Sequence, residues 1–582
     1  MWVKAWFFVA AVAAAQPFDS FSVSETMVVM RDGVKLATDV YRPARQGTPV
    51  DERFPVLVTR SPYNKEGARG SGEYFARRGY VVVAQDCRGR FRSEGSFYAF
   101  VNEGLDGYDT IEWAAAQPFS NGKVGTFGGS YLGWDQLHAA MYRPPHLSAM
   151  FVVVAGSNFY QDYAYPGGAP NLGWSSWLLS NGARTREAPE ALARLTKEGI
   201  REWYALPPAK RGEVFTGVPE FQKMFDDYFA NPVFNAYWRQ RGFYNQGYYS
   251  RIKDVPTFFV AGWYDYFGEG TLDNFAALSR RHKTPKKLVM GPWPHGVGRA
   301  ECGDANFGPE GAVDLQALML DWFDCSLKDA SPCATPPEAV RLFRMGGGDS
   351  SRDDAGRLRH GGEWQPASGW PVPGTRAEKH FLHAGGSLRT EPPAADAIAA
   401  EFVFDPDNPV PTIGGRYTHA SPPCAQNQVP LNDRPDVISY VSAPLEAPLE
   451  VTGKVRATLY VSSDAPDTDF TAKLIDVYPD GYALILLDGV LRARYRDGFQ
   501  RAKPMKPGQV YRVTIDLGST SNLFAAGHRI RLDVSSSNYP RVEPNPNTWE
   551  PAGAWTRRVK ARNTIHQHAS RASYVELPVA PR

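Results

Sequence analysis

The amino-acid sequence predicts an α/β fold in which a doubly wound parallel sheet is interrupted by a helical insertion and followed by an all-β region. Continuous apolar runs indicate the sheet, because they are typical of strands buried on both faces; they lie at 54–59, 80–85 and 150–154. Helical patterns and many aromatic residues indicate the insertion, over about 158–253. Alternating segments with turn residues between them indicate the all-β region, at 454–461, 471–477, 510–517 and 529–534.

A serine between small residues follows the first helix of the predicted sheet. Segment 103–116 is acidic at its start and apolar at helical spacing, and segment 124–133 then reads as a short strand, a sharp turn at Ser130 and a second helix. Gly128 and Gly133 leave room for such a turn, which lifts the serine hydroxyl clear of the sheet. The pattern indicates a nucleophilic serine, although glycine–serine clusters also form ordinary turns.

Two later loops carry the side chains that would activate this serine. Asp265 follows the apolar run 257–261, and His295 follows the run 287–290. In a parallel sheet with a nucleophile at a strand end, the acid and then the histidine come from later strand-end loops in this order. Taken singly, Asp265 could cap a turn and His295 could be one of eleven histidines on a surface loop. The ordered occurrence of all three favours a Ser-His-Asp arrangement.

The motifs around these residues resemble the cocaine esterase family. They are GGSYLG around Ser130, GWYD ending at Asp265 and GPWPHG around His295, with further matches in RSPY at 60–63, DCRGR at 86–90 and much of the last 150 or so residues. This family includes α-amino-acid ester hydrolases, glutaryl-cephalosporin acylases and, more distantly, Xaa-Pro dipeptidyl-peptidases. The resemblance implies an α/β-hydrolase fold with an inserted helical cap, followed by a jelly-roll domain like the C-terminal one of those peptidases.

The resemblance also implies an activity and the residues that perform it. We expect a serine hydrolase that cleaves carboxylic esters, or reactive amides, through an acyl-enzyme. Ser130, His295 and Asp265 would form the triad, and the oxyanion hole would consist of the Tyr63 hydroxyl and the backbone N–H of Tyr131. Alternatives within the enzyme class are a Xaa-Pro dipeptidyl-peptidase, a β-lactam acylase or an α-amino-acid ester hydrolase. Outside it, the chain could be a secreted binding protein with an inactive hydrolase fold.

The acyl pocket departs from one branch of the family. α-Amino-acid ester hydrolases place an acidic pair two and three residues after the catalytic aspartate, where this chain has Phe267 and Gly268. An ammonium buried without a carboxylate is costly, so we expect uncharged aromatic or medium-chain acyl groups, unless Asp162 or Glu269 reaches the site. Phe267, together with Tyr266, Trp174 and Trp177, would line the pocket, although the two tryptophans could equally form the core of the cap.

Composition restricts the other functional classes. The formal net charge is +2, and there is no basic stripe, no zinc-like cysteine spacing and no phosphate-cradling glycine loop. The sequence therefore gives no support for nucleic-acid binding, for a metal site or for a cofactor. The expected partner is a small ester or amide substrate, and the oligomeric state is left open.

The chain divides into segments of different composition. Residues 1–15 contain Lys4, an apolar run at 5–14 and a small-residue cleavage site, which predict a secretory signal peptide too short for stable membrane insertion. We therefore expect a secreted or periplasmic enzyme. The predicted parts are a catalytic domain at 18–156 and 255–345, a cap at 157–254, a linker at 346–374 that is rich in Gly and Pro, and a jelly roll at 375–582.

Five cysteines are compatible with export. Their odd number leaves at least one unpaired within the chain, and we expect this to be Cys87, because it follows a buried strand. The other four, Cys302, Cys325, Cys333 and Cys424, allow three pairings between which the sequence does not choose.

Overall fold

The structure is a computed structural model that describes residues 17–185, 188–330, 338–416 and 423–581. The predicted signal peptide at 1–15 lies outside the described residues. The predicted fold class is confirmed: an α/β-hydrolase-like part comes first and a β-rich part follows.

The first part of the chain builds one half of a sheet that is antiparallel at its first strands and parallel beyond them. Its elements are β1 (Ser20–Val29), β2 (Lys35–Arg45), β3 (Thr48–Pro49), β4 (Phe54–Ser61), α1 (Arg69–Ala76), β5 (Val81–Asp86), α2 (Glu103–Ala115), β6 (Ser120–Gly129), α3 (Tyr131–Ala140) and β7 (Leu147–Val153). The apolar runs predicted as central strands correspond to β4, β5 and β7, and every residue of β4 and β5 is buried. Burial on both faces explains why these strands read as continuous apolar runs.

Helices fill the insertion between β7 and the next strand. They are α4 (Leu172–Gly182), α5 (Glu190–Glu198), α6 (Ile200–Ala205), α7 (Pro208–Gly212) and α8 (Pro219–Ala230). In α8, Pro219 occupies the first turn, where its missing N–H costs nothing, and the buried side chains recur at helical spacing, at Phe221, Met224, Phe225 and Tyr228. These side chains form one apolar face that packs inward.

The sheet then resumes and is completed. The elements are β8 (Thr257–Gly262), α9 (Gly268–Arg281), β9 (Lys286–Gly291), β10 (Glu301–Cys302), β11 (Ala305–Asn306), α10 (Leu315–Leu327) and β12 (Val340–Gly346). Neighbouring strands follow the order β1-β2-β5-β4-β6-β7-β8-β9-β12, with every pair from β5 onward parallel. The carboxyl ends of β6, β8 and β9 therefore meet at one edge, where ligands bind in open α/β sheets.

Residues 346–374 differ from the predicted linker. They contain β13 (Leu358–Arg359) and β14 (Gly362–Ala367), and β14 pairs antiparallel with β12 and so extends the sheet. The glycine content that suggested a linker has a local cause: Gly346, Gly361 and Gly362 have positive φ angles of 92°, 72° and 152° at the turns on either side. Their composition reflects tight turns between paired strands.

The remainder of the chain is all-β. Its strands are β15 (Arg376–His383), β16 (Ser387–Arg389), β17 (Ala400–Phe404), β18 (Ile438–Val441), β19 (Leu449–Ser463), β20 (Asp469–Val477), β21 (Ala483–Arg492), β22 (Tyr511–Phe524), β23 (Arg529–Ser535), β24 (Ala561–His568), β25 (Arg571–Ala572) and β26 (Tyr574–Val579). One group pairs around β19 with β22, β24 and β26, and another pairs around β20 with β21 and β23. The end of β22 also pairs with β12, which joins this region to the first sheet.

The helical insertion is tied to the C-terminal region by a buried ion pair. Arg211 and Glu543 approach to 2.6 Å with side-chain exposures of 0% and 5%, and the Trp555 indole N–H donates to the same carboxylate. Such a pair adds little net stability compared with an apolar contact. Removing one partner, however, leaves the other charge buried and unpaired, which is strongly destabilising. The insertion is thus fixed to the C-terminal region by residues far apart in the sequence.

The cysteines are divided between bonded and free states. Cys302 and Cys424 form a disulfide that joins the hydrolase part to the C-terminal region, and Cys325 is also disulfide-bonded. Cys87 is a buried free thiol, as predicted, and Cys333 lies outside the described residues. Among the helices that the structure describes, none has the length and apolar character needed to cross a bilayer.

Candidate active site

Ser130 occupies a strained turn between β6 and α3. Its backbone has φ 60° and ψ −122°, an unusual conformation for a residue other than glycine. The neighbouring glycines are required by space: a Cβ on Gly128 would lie 2.5 Å from Leu132 Cβ, and one on Gly133 would lie 2.7 Å from the Val153 carbonyl oxygen. The turn thus packs closely against β7 and presents the serine hydroxyl at the sheet edge.

The three predicted triad side chains lie in one hydrogen-bonded line. His295 Nε2 is 2.8 Å from Ser130 Oγ, and His295 Nδ1 is 3.1 Å from Asp265 Oδ2. Asp265 is completely buried, and the backbone N–H of Phe267 donates to its Oδ1 over 2.6 Å. The imidazole is partly exposed, with 22% of its side chain accessible. This arrangement can take a proton from the serine and stabilise the resulting imidazolium.

Tyr63 is held beside the serine turn by three contacts. The indole N–H of Trp177 donates to its hydroxyl oxygen over 3.0 Å, and the Ser61 hydroxyl accepts from its backbone N–H. Arg90 donates to the carbonyl of Pro62, so the residue just before Tyr63 is fixed as well. Burial raises the pKa of Tyr63, which keeps the phenol protonated. The protonated phenol can therefore donate a hydrogen bond.

Tyr131 opens α3, so its backbone N–H belongs to the first turn and needs no partner within the helix. Its side chain is fixed separately. The hydroxyl donates to Glu103 Oε1 over 2.9 Å, and the ring stacks on Trp177 with centroids 6.1 Å apart. The two predicted oxyanion donors, Tyr63 and Tyr131, thus share Trp177 as a neighbour.

Aromatic rings surround the triad. Tyr266 stacks on the His295 imidazole, with centroids 4.4 Å apart and an interplanar angle of 22°, and Phe267 meets the same imidazole at 5.8 Å. Trp177 is partly buried against Tyr63, whereas Trp174 stacks behind it at 4.8 Å and is 5% exposed. Of the two tryptophans, Trp177 faces the candidate site and Trp174 belongs mainly to the core of the insertion.

The two acids considered as ammonium ligands are already engaged. Asp162 Oδ2 accepts from the backbone N–H groups of Ser157 and Asn158, and burial raises the pKa of Asp162 to about 7. Glu269 pairs with Lys454 of the C-terminal region at 2.8 Å and accepts from the backbone N–H of Ser519.

A buried charge network below the serine turn was missed by sequence reasoning. Arg60 pairs with Glu103 at 2.8 Å, and Glu103 in turn accepts from Tyr131. Cys87, Glu103 and Asp135 place potential ligand atoms within 4.8 Å of one another, but Arg60 already supplies the positive charge at Glu103. The available signals were the match of the 60–63 and 86–90 segments to the family motifs and the acidic start of segment 103–116.

Comparisons with known proteins agree with this architecture. The family model of the X-Pro dipeptidyl-peptidase (S15 family) matches residues 32–297, and that of the X-Pro dipeptidyl-peptidase C-terminal non-catalytic domain matches residues 334–576. The cocaine esterase of Rhodococcus sp. (strain MB1 Bresler) is 35% identical over 96% of this chain and 98% of its own.

Two solved structures are similar over nearly their whole length. An α-amino acid ester hydrolase is 26% identical with a TM-score of 0.82, covering 99% of both chains. An aminopeptidase from the marine sediment archaeon Thaumarchaeota archaeon is 26% identical with a TM-score of 0.79, covering 97% of both chains. With these similarities and the serine turn described above, the chain belongs to the cocaine esterase family of serine hydrolases.

Proposed function

We propose that this protein hydrolyses carboxylic esters through an acyl-enzyme formed on Ser130. The observation that carries the proposal is the 2.8 Å contact between Ser130 Oγ and His295 Nε2 at a strained strand-to-helix turn. His295 takes the serine proton as Oγ attacks the ester carbonyl and returns it to the departing alcohol. Asp265 fixes the imidazole tautomer by accepting from Nδ1.

The negative charge that develops on the carbonyl oxygen needs fixed donors. In this proposal they are the Tyr63 hydroxyl and the backbone N–H of Tyr131; the rings of these two tyrosines contact each other, with centroids 6.2 Å apart. Each preorganised donor of this kind contributes roughly 3–4 kcal/mol to stabilisation of the transition state. The insertion at 157–254 acts as the cap, because Trp177 of α4 reaches the oxyanion tyrosine.

The substrate is proposed to carry an uncharged aromatic or medium-chain acyl group. Phe267 and Trp177 offer apolar surface next to the triad, and Glu269 is held by Lys454. A second candidate function is hydrolysis of α-amino acyl esters. It is supported by the similarity to the solved α-amino acid ester hydrolase structure and by the Asp162 carboxylate, which lies against Gly156. Asp162 would then have to exchange its backbone partners for the ammonium.

The protein is further proposed to act in an oxidising compartment outside the cytoplasm. The leader pattern at 1–15 and the disulfide between Cys302 and Cys424 support this, because disulfides persist where thiols are not kept reduced. Mass spectrometry of protein recovered from the culture medium or periplasm would test it. An N-terminus near Gln16 is expected, and an intact Met1 on cytoplasmic protein would contradict export.

Covalent labelling tests the catalytic proposal. A fluorophosphonate probe reacts only with an activated serine, so the wild-type protein should be labelled and Ser130→Ala should not. The other serines, which remain in Ser130→Ala, are an internal control. If this variant is still labelled, the nucleophile is a different serine. Folded wild-type protein that resists the probe would favour a binding protein with an inactive hydrolase fold.

A further inference from the structure

The side chain of Tyr131 is held both by stacking and by hydrogen bonds. Its ring stacks on those of Phe100 and Trp177, with centroids 4.3 and 6.1 Å apart. Its hydroxyl donates to Glu103 Oε1 over 2.9 Å and accepts from the backbone N–H of Phe100 over 2.8 Å. The backbone N–H of a first helical residue has no hydrogen-bond partner within the helix. The direction of this N–H therefore depends on how the rest of Tyr131 is held.

Glu103 joins this side chain to the segment that carries the other proposed oxyanion donor. Its Oε2 and its backbone carbonyl both accept from Arg60 Nη1, over 2.8 and 3.0 Å, and the side chains of Arg60 and Glu103 are only 3% and 2% exposed. Arg60 lies near the end of β4, just before the turn to Tyr63, and in that turn the Ser61 hydroxyl accepts from the backbone N–H of Tyr63. One buried carboxylate thus connects the two segments that carry the donors.

We propose that Glu103 is a positioning residue for the oxyanion hole, whose two carboxylate oxygens fix the Tyr131 segment relative to the Tyr63 segment. The inference rests on the proposed function and deepens it, because Glu103 acts on the reaction only through Tyr131 and Arg60. A buried ion pair adds little stability over apolar packing of the same volume, which favours a geometric role for this one. A carboxylate suits that role, since each of its oxygens can accept from a different segment at the same time.

Two substitutions break the link between Glu103 and Tyr131 from opposite ends. Tyr131→Phe removes the hydroxyl and retains the ring and the Arg60–Glu103 pair. Glu103→Gln has one acceptor oxygen where the carboxylate has two. The buried Arg60 guanidinium takes that oxygen, because an unpaired charge in the interior costs more than a lost neutral hydrogen bond, and the amide NH₂ group then faces Tyr131. Both variants should therefore show the same defect, and the double variant should be little worse than either.

Steady-state hydrolysis of p-nitrophenyl phenylacetate and inhibition by phenylboronic acid measure this defect. The boronic acid forms a tetrahedral adduct on an activated serine and so resembles the transition state. For each variant we expect kcat to fall about 5- to 50-fold, less than the loss of about 10²- to 10³-fold for a whole oxyanion donor, with KM within about 2-fold of the wild-type value. The inhibition constant should rise by the same factor as kcat falls.

A merely structural role of Glu103 gives a different result. It lowers kcat through the fraction of active protein and leaves the inhibition constant unchanged. That outcome, or multiplicative losses in the double variant, would overturn the proposal. If Glu103→Gln does not fold, Tyr131→Phe decides alone, because this variant retains the Arg60–Glu103 pair.

Asp106→Asn is the matched control. Asp106 pairs with Arg60 at 3.7 Å and with Arg88 at 2.6 Å, so its substitution removes a buried charge from the same network and leaves the Glu103–Tyr131 hydrogen bond intact. Its inhibition constant should stay at the wild-type value, and a rise equal to that of Tyr131→Phe would overturn the role of Glu103. Wild-type protein that neither cleaves the ester nor binds the boronic acid would refute the proposed function, and this inference with it. Wild-type kinetics in Tyr131→Phe would refute this inference alone.

Discussion

The hydrogen bond from Trp177 to Tyr63 gives a quantitative test of how the cap serves catalysis. Trp177→Phe removes the N–H that donates to the tyrosine oxygen over 3.0 Å, while a phenyl ring retains much of the stacking on Tyr131 and Trp174. A net hydrogen bond of about 0.5–1.5 kcal/mol corresponds to a loss of roughly 2- to 12-fold in kcat/KM. Tyr63→Phe, which removes the proposed oxyanion donor, should lower kcat/KM by about 10²- to 10³-fold.

The two changes should not be additive, because Trp177 acts through the Tyr63 hydroxyl. In the Tyr63→Phe background, Trp177→Phe should change kcat/KM by less than about 2-fold. The assay is steady-state hydrolysis of p-nitrophenyl phenylacetate by the wild type, both single variants and the double variant. Trp174→Phe is the matched control, since its ring stacks on Trp177 without bonding Tyr63 and should show no coupling to Tyr63. Independent, multiplicative losses for Trp177 and Tyr63 would refute the positioning role.

Three further outcomes are expected. Ser130→Ala and His295→Ala should each lower kcat for a p-nitrophenyl ester by roughly 10⁴- to 10⁶-fold, and the double variant should lose little more. Additive losses would contradict the view that the two residues act together in one step. A phenylacetyl ester should be cleaved faster than the phenylglycyl ester of the same alcohol under identical conditions; a clear advantage for the free amine, or rapid release of a Xaa-Pro dipeptide, would disprove the acyl pocket. Burial raises the pKa of Asp86 to about 6, so its contribution to the free energy of unfolding is fully present below about pH 4 and is lost as pH rises through 6, by about 3 kcal/mol at most. Urea unfolding at several pH values should show this decline in the wild type but not in Asp86→Asn. If the free energy of unfolding falls equally with pH in both proteins, Asp86 is not its cause.

Local sequence patterns predict the fold class and the residues that meet at the sheet edge. Ser130 is recognisable because its turn demands small residues within three positions. Asp265 and His295 are recognisable because each lies in the loop after an apolar run that becomes a buried strand. Parallel strands place their carboxyl ends at one edge, so three strand-end residues can be assigned to one place without knowledge of the intervening chain. The catalytic roles of these residues remain predictions.

Contacts between distant segments could not be predicted in this way. The Trp177–Tyr63 hydrogen bond joins residues 114 positions apart, and the Arg211–Glu543 pair joins residues 332 positions apart. Neither pair leaves a periodic signal, because each residue looks like an ordinary member of its own helix or loop. The predicted linker at 346–374 was wrong for another reason. A segment of tight turns and a flexible linker are both rich in glycine, so composition does not distinguish them.

The pairing of Glu269 with Lys454 has a consequence for how this enzyme can change. Glu269 lies one turn after the proposed catalytic Asp265, on the helix that anchors the Asp265 loop, and its partner belongs to a C-terminal strand. The β-rich region therefore supports the loop that holds the proposed catalytic aspartate. We therefore expect some mutations in that region, far along the chain from Ser130, to change activity by shifting this helix. Directed evolution confined to the neighbourhood of Ser130 would leave such variation unexplored.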